Sequence, residues 1–158
     1  MLKNNEISLR SLEITDSDFL FNLENDESIW SMSGTTKEFS KTQIVDYIKN
    51  AKQDILVQDQ YRFVIDFNGK PIGCADIYDY DLLKSSAAIG IVILNNYRRR
   101  GCAKFALRKL IRYCCDSLFL KKLYCKISDK NLASIKLFTS LGFSTKDRYI
   151  YTLDNICN

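Results

Sequence analysis

Three consecutive arginines, Arg98 to Arg100, stand directly before Gly101 in the sequence, and the short side chains of Cys102 and Ala103 follow. If a helix begins at this glycine, its first backbone N–H groups and the positive end of its dipole would attract a phosphate. A glycine lets the main chain approach a phosphate closely, and the arginines add positive charge. The pattern lacks the Gly-x-x-x-x-Gly-Lys spacing of nucleotide hydrolases and the Gly-x-Gly-x-x-Gly of dinucleotide binders. We therefore interpret the stretch as a diphosphate site of another kind.

The segments on either side of the arginines have the patterns that such a site requires. The continuously apolar residues 87–94 predict a strand covered on both faces, and Gly90 within it indicates a bulge or a close approach to the backbone. After the arginines, apolar and basic residues alternate at helical spacing, which predicts an amphipathic helix of about four turns. Residues 122–127 predict a further strand, and residues 131–141 predict a helix that ends at Gly142.

The N-terminal half predicts strands and helices of a different order. Residues 7–10 alternate like an edge strand, and the Thr15 to Asp18 stretch predicts the start of a helix. Ser40 and Gln43 form a capping box before a second helix. Between the helices, residues 24–39 are polar and fit either a substrate-side loop or a plain connector pinned by Trp30.

The strongest local signal is a hairpin around Asn68-Gly69, with strands at residues 61–67 and 70–78. A polar connector with Asp79 and Asp81 follows, and one or two strands close the chain after residue 143. Antiparallel strands followed by a strand, helix, strand series predict a mixed sheet with a parallel crossover. The fold class is therefore α/β (α+β), and 158 residues with 46% hydrophobic side chains fit a single domain, residues 1–158.

Composition excludes several classes of protein. We expect a soluble, cytoplasmic protein with no membrane partner, because no secretory signal and no membrane-spanning run is present. The chain has no histidine and no Cys-x-x-Cys pair, so we expect no metal site and no histidine-assisted nucleophile. All six cysteines fall in apolar patterns, and we interpret them as reduced core residues.

Charge is distributed unevenly along the chain. Residues 1–80 hold 8 Lys/Arg against 14 Asp/Glu, whereas residues 81–158 hold 15 against 5, so the halves carry net charges of −6 and +10. The basic half suits a polyanion and the acidic half a cation, although both sets also fit a solvated surface. A nucleic-acid-binding domain is a rival interpretation, but no helix-turn-helix, zinc pattern or aromatic-basic platform supports it. We expect no nucleic-acid partner.

The motif Arg98 to Ala103, together with Asn131-Leu-Ala-Ser134 and the Leu-Gly-Phe of residues 141–143, resembles the GNAT superfamily of acyl-CoA-dependent N-acetyltransferases. Within it the chain looks most like spermidine N-acetyltransferases and ribosomal-protein N-terminal acetyltransferases. The resemblance implies the GNAT fold, with a splayed parallel strand pair, and acetyl-CoA as cosubstrate without a metal. Relatives often form homo-oligomers. The implied coenzyme A contacts are Ile91, Val92, Ile93, Arg98, Arg99, Arg100, Gly101, Cys102, Ala103, Asn131 and Ser134.

The resemblance leaves two customary catalytic positions unfilled. Many relatives carry a glutamate where this chain has Ala88, and a thiolate-protonating tyrosine where it has Phe138. An amine acceptor must lose a proton before it attacks a thioester, so a carboxylate is needed elsewhere. We expect that replacing Phe138 by tyrosine leaves turnover unchanged or raises it. The candidate bases are Asp79, Asp81 and Glu27, and the candidate proton donors are Ser134 and Tyr124.

The acceptor is expected to be a cationic small molecule or peptide with a primary amine. Carboxylates in residues 24–39 and 76–81 favour a polyamine, an aminoglycoside or a peptide N-terminus. An amino-sugar or protein N-terminal acetyltransferase remains open, as does a catalytically silent module that only binds acyl-CoA.

Overall fold

A computed structural model describes residues 2–3, 5–30, 34–51 and 55–158, apart from the side chains of residues 56 and 57. A seven-stranded sheet in the order β1-β2-β3-β4-β5-β7-β6 forms its centre. The strands are β1 (Ile7–Ser11), β2 (Tyr61–Phe67), β3 (Lys70–Asp81), β4 (Ser86–Ile93), β5 (Lys122–Lys126), β6 (Ser144–Asp147) and β7 (Ile150–Asp154). The flanking helices are α1 (Ser17–Glu24), α2 (Lys41–Asn50), α3 (Ile55–Gln58), α4 (Cys102–Asp116) and α5 (Leu132–Ser140).

Only β4 and β5 run parallel among the paired strands described, and α4 is the crossover between them. This confirms the predicted mixed sheet. Alternation along β4 sends Ile89 and Ile93 into a core with α4, and Val92 to the opposite face, where α1 and α2 pack. The two faces of the sheet are therefore buried by different helices.

The hairpin prediction is confirmed at the level of single dihedral angles. Asn68 and Gly69 have φ of 50° and 88°, and Phe67 pairs directly with Lys70. Two successive positive φ angles are those of a type I′ turn, which matches the twist of the adjoining strands. The capping box is also confirmed, because the Ser40 hydroxyl accepts from the Gln43 N–H and the Gln43 side chain accepts from the Ser40 N–H.

The first helix begins later than predicted. Asp16, not Thr15, is its N-cap, and a 3-10 turn at Ile14–Asp16 precedes it. Asp16 is buried because its carboxylate binds the Arg10 guanidinium through two 2.8 Å hydrogen bonds. The same carboxylate accepts from the Glu13 N–H at 2.8 Å, so this turn combines a local capping contact with an ion pair to β1.

Two expectations about the central strands were wrong. Gly90 pairs regularly with Asp76, so the expected bulge is absent there, and the irregularity of the sheet lies instead on β3, between Tyr78 and Asp81. The alternative given for Gly90, a close approach to its backbone, stays a prediction. The acidic stretch expected to be a connector is therefore the end of β3, and Asp79 adopts a φ of 48° within it. Helix α3 was not predicted.

The interpretation of all cysteines as reduced core residues is also wrong. Cys74, Cys102, Cys114 and Cys125 are free and buried, but Cys115 and Cys157 form a disulfide with Cα atoms 5.3 Å apart. The bridge joins residues separated by 42 positions, the last turn of α4 and the C-terminal tail. It depends on how the tail folds back, which no local pattern reveals.

Candidate active site

The loop between β4 and α4 has the shape that an anion cradle requires. A 3-10 turn at Asn95–Tyr97 ends the strand, and Arg98 then returns to extended backbone. Arg99 and Gly101 adopt positive φ angles of 62° and 84°. Glycine takes this left-handed conformation without strain, so Gly101 can serve as N-cap of α4.

The backbone N–H groups of this loop are available for a ligand. The first helical hydrogen bond of α4 runs from the Phe105 N–H to the Gly101 carbonyl at 3.1 Å. Within the described part of the chain, no backbone carbonyl accepts from the N–H groups of residues 100–103. Helix geometry leaves these donors without an internal acceptor, and a diphosphate would satisfy them.

One arginine of the loop has a structural contact, and the other two provide exposed positive charge. The Arg98 Nε donates to the Ile93 carbonyl at 2.9 Å, so this arginine braces the loop against the end of β4. Arg99 and Arg100 are exposed, and the Arg100 guanidinium lies 5.6 Å from the Tyr97 ring centroid. Cys102 is buried, which raises the pKa of its thiol and leaves its backbone N–H as the group that can face a ligand.

Strand β4 has an open edge beside this loop. Its parallel pairing with β5 covers only Ser86 to Ala88, and the last pair joins Ala88 to Tyr124. The strand nevertheless continues to Ile93, bonded there to β3 alone. Among the described residues, no strand pairs with the other edge from Ile89 onward, so the backbone around Ile91, Val92 and Ile93 is free to bind an extended ligand.

Helix α5 follows β5, the strand that separates from β4 at this open edge. Its N-cap is Asn131, whose Oδ1 accepts from the Ser134 N–H at 3.2 Å. Asn131 is therefore a helix cap, and its contact with coenzyme A stays a prediction. Ser134 lies half-buried in the first turn of α5.

A cavity of about 330 Å³ lies on the face of the sheet that carries α2. A half-buried ion pair forms part of its wall, where the Arg62 guanidinium binds Asp76 at 2.7 and 2.9 Å. Arg62 also binds Glu24, which is not among the residues that line the cavity. Tyr47 covers the guanidinium, with its ring centroid 5.8 Å away. Burial lowers the pKa of Arg62, but its ion pair with Asp76 outweighs burial and leaves that pKa above its ordinary value.

These ion pairs change the acceptor-side prediction. Glu24 and Asp76 were expected to attract a cationic substrate, but both already bind the Arg62 guanidinium. Asp59 and Asp79 supply the other carboxylates of the cavity, and the Tyr80 N–H ties their segments together by donating to the Asp59 carbonyl at 3.2 Å. Sequence reasoning missed Asp59, because only the tertiary structure places α3 beside the end of β3.

The cavity is rich in tyrosines, which sequence reasoning also missed. Tyr47, Tyr61 and Tyr78 line it. Burial, reinforced for Tyr78 by the charge of Asp79, raises the pKa of Tyr47 and Tyr78. These hydroxyls therefore stay protonated at neutral pH and can donate or accept hydrogen bonds. The lining contains three carboxylates, those of Asp59, Asp76 and Asp79, and one guanidinium, that of Arg62. Its net charge is therefore negative.

The structure brings two of the five predicted catalytic residues together. The Tyr124 hydroxyl lies 3.4 Å from an Asp79 carboxylate oxygen, at the point where β4 and β5 separate. Burial and the Asp79 charge raise the pKa of Tyr124. Asp81 instead accepts from the Lys84 N–H at 3.0 Å and so stabilises the β3–β4 turn.

The remaining predicted positions lie away from this pair. Glu27 is exposed in a 3-10 turn and does not line the cavity. Trp30 donates to the Glu24 carbonyl at 2.9 Å, as expected for a pinned connector, while residues 31–33 of the predicted loop fall outside the described residues. Phe138 is 3% exposed and packs edge-on against Phe143, so a hydroxyl added there would enter the core.

The family of the protein follows from comparison with known sequences. The family model described as acetyltransferase (GNAT) domain matches residues 6–144. The chain therefore belongs to the GNAT acetyltransferase family, and its mixed sheet with one parallel strand pair and flanking helices matches the GNAT fold.

The chain is similar to several individual acetyltransferases. Spermidine N(1)-acetyltransferase of Escherichia coli (strain K12) is 24% identical over 145 residues, which cover 92% of this chain and 76% of the relative. A protein named uncharacterized N-acetyltransferase p20, from Bacillus licheniformis, is 28% identical over 144 residues, which cover 90% of this chain and 81% of the relative. Spermidine N-acetyltransferase from Vibrio cholerae, solved in complex with CoA and spermine, has a TM-score of 0.85 at 23% identity, and the match covers 98% of this chain and 99% of that one. The chain is thus similar to spermidine N-acetyltransferases.

Within the ranges described, no helix combines the length and apolar character that crossing a bilayer requires. The same residues contain no group of three or more His, Cys, Asp or Glu side chains arranged to hold a metal ion.

Proposed function

We propose that the protein is an acetyl-CoA-dependent N-acetyltransferase that acts on a primary amine of a cationic, polyamine-like acceptor. Direct attack of the amine on the thioester would transfer the acetyl group. The observation that carries this proposal is the open edge of β4, which runs from the α4 cradle to the Asp79–Tyr124 pair beside the acidic cavity. A donor anchored at one end and an acceptor at the other would meet where the strands separate.

The residues present fit coenzyme A. The N–H groups of residues 100–103 would bind its diphosphate, with Arg99 and Arg100 screening the negative charge. Arg98 would support the loop, and its fixed position at Ile93 would keep the cradle aligned with the strand. The pantetheine arm would lie along residues 91–93 like an added strand, and Asn131 and Ser134 would contact it from α5.

The cavity fits a cationic acceptor. Asp59 and Asp79 carry the carboxylates that Arg62 does not neutralise, and the tyrosine rings offer faces on which alkylammonium groups bind favourably. Holding the amine against the thioester supplies most of the rate enhancement, because it converts a collision between two molecules into a reaction within one complex. The similarity to spermidine N-acetyltransferases supports the same class of acceptor.

A panel assay tests the proposal. The protein is incubated with acetyl-CoA and, separately, with spermidine, an aminoglycoside, an amino sugar and a short peptide with a free N-terminus, while released thiol is measured. We expect release above the amine-free background, and fastest with the polyamine. Release with the peptide or amino sugar alone would assign the other acceptor classes. Thermal stabilisation by CoA without release for any amine would instead establish the catalytically silent module.

A further inference from the structure

The proposed reaction has to move two protons, and neither customary residue is present to move them. Ala88 and Phe138 occupy the positions where many relatives carry a base and a proton donor, and Phe138 is buried in the core. An alkylammonium acceptor must lose one proton before it attacks, and the departing sulfur must gain one. The groups that do this must lie where β4 and β5 separate, because the free end of a donor anchored at the cradle points there.

Asp79 and Tyr124 lie at that place and contact each other. Tyr124 is the last residue of β5 in register with β4, opposite Ala88, and Tyr78 pairs with Ala88 from the other side. Ala88 itself is fully buried between these two tyrosine positions and carries no group that can move a proton. Asp79 follows in the irregular end of β3 and lines the acceptor cavity, so its carboxylate faces both the acceptor and Tyr124.

We propose that Asp79 and Tyr124 form a proton relay between the acceptor amine and the sulfur of coenzyme A. This rests on the proposed function and assigns its acid and base. The distance of 3.4 Å is longer than an ordinary O–H···O hydrogen bond, as is common before a substrate closes the site. Burial of Tyr124 and the charge of Asp79 keep the phenol protonated, as a donor requires.

The relay balances its protons. Asp79 takes one proton from the ammonium group, and the neutral nitrogen forms a bond to the acetyl carbon while the carbon–sulfur bond breaks. The sulfur leaves with the bonding electron pair and takes the hydroxyl proton of Tyr124. Tyr124 regains a proton from Asp79, and the new amide nitrogen releases its extra proton to water. The enzyme returns to its first state, and one proton enters solution for each acetyl transferred.

Steady-state kinetics of Tyr124→Phe and Asp79→Asn test the relay, with spermidine and acetyl-CoA as substrates. We expect Tyr124→Phe to lower kcat at least ~10-fold, toward the roughly 10²–10⁴-fold effects of general acid–base groups, and to leave the KM for acetyl-CoA within about twofold. Asp79→Asn should lower kcat at least as much. Since the two groups act in series, the double variant should be no slower than the slower single variant.

Matched control variants distinguish a loss of proton transfer from a general loss of folded protein. Tyr149→Phe and Asp154→Asn change the same residue types at accessible positions away from the cavity, and both should keep wild-type kcat. Each variant should also keep the thermal shift caused by CoA.

Three results overturn the relay while the proposed function stands: a loss below tenfold in Tyr124→Phe, effects that multiply in the double variant, or a kcat loss that appears in Ser134→Ala instead of Tyr124→Phe. Absence of thiol release by the wild-type protein with every amine overturns the proposed function and the relay together.

Discussion

Replacing Arg62 by methionine is expected to destabilise the fold strongly, because Arg62 binds two carboxylates that have limited access to water. The side chains of Arg62, Asp76 and Glu24 are only 19%, 26% and 18% exposed. Methionine keeps much of the apolar stem but removes the guanidinium. Asp76 and Glu24 would then remain as two like charges with little access to water.

The size of the effect follows from this burial. Breaking a buried ion pair by removing one partner costs about 3–5 kcal/mol, because the other charge stays desolvated. Some access to water remains at Asp76, so we expect about 3 kcal/mol for Arg62→Met at pH 7. The triple variant Arg62→Met, Glu24→Gln, Asp76→Asn should regain part of the loss, because it removes the two like charges.

Urea denaturation measures this, and Arg148→Met provides a matched control. Arg148 binds Asp129 at 2.7 Å, the same distance as Arg62 to Asp76, but its side chain is 69% exposed. Exposed ion pairs contribute about 0–1 kcal/mol, so this control should change the free energy of unfolding little. If Arg62→Met cost no more than Arg148→Met, the burial argument would be refuted.

Three further predictions concern stability and thiol chemistry. Burial raises the pKa of Asp16, but hydrogen bonds from Arg10 outweigh burial and hold this pKa below its ordinary value. The Asp16 carboxylate therefore stabilises the fold at pH values above its pKa in the unfolded chain. This contribution is lost as the pH falls through its pKa in the folded protein. Asp16→Asn should thus lower the unfolding midpoint in urea at pH 7 and matter progressively less below about pH 4, and an equal loss at pH 7 and pH 2 would contradict this. Gly73→Ala should lower the thermal midpoint by several degrees, because an added Cβ would overlap the Val92 carbonyl oxygen across the sheet, and an unchanged midpoint would show that the strands can separate there. A thiol reagent at pH 8 should modify the folded protein at Cys115 and Cys157 only after mild reduction, as peptide mapping would show; modification of both before reduction would contradict the bridge.

The free cysteines explain why that thiol experiment is selective. Cys74, Cys114 and Cys125 are buried, and burial raises the pKa of each thiol to about 12. The reactive thiolate is therefore scarce at pH 8 even where a reagent could reach it.

Sequence predicted the parts of the fold that depend on neighbours in the chain. The Asn68-Gly69 turn and the Ser40 capping box need only residues within a few positions of each other, and both are confirmed. The start of α1 was misplaced, because Asp16 is held by Arg10, a residue on another element.

The candidate site likewise contains parts that depend on local sequence and parts that depend on contacts between distant residues. The start of α4 depends on one short segment, so a helix beginning at Gly101 could be predicted from the sequence, while its binding of a diphosphate stays a prediction. The acceptor cavity depends on contacts between distant residues, such as Arg62 with Glu24 and the Asp59 segment with Tyr80. No spacing in the sequence indicates that Arg62 binds two of the carboxylates expected to attract the substrate. The disulfide between Cys115 and Cys157 is hidden for the same reason.

A crystal structure of the protein grown with coenzyme A tests the central claim most directly. The account predicts a diphosphate that accepts hydrogen bonds from the N–H groups of residues 100–103, and a pantetheine arm beside Ile91 to Ile93 that ends near Tyr124. Coenzyme A bound at another surface, with the edge of β4 still open, would contradict the account.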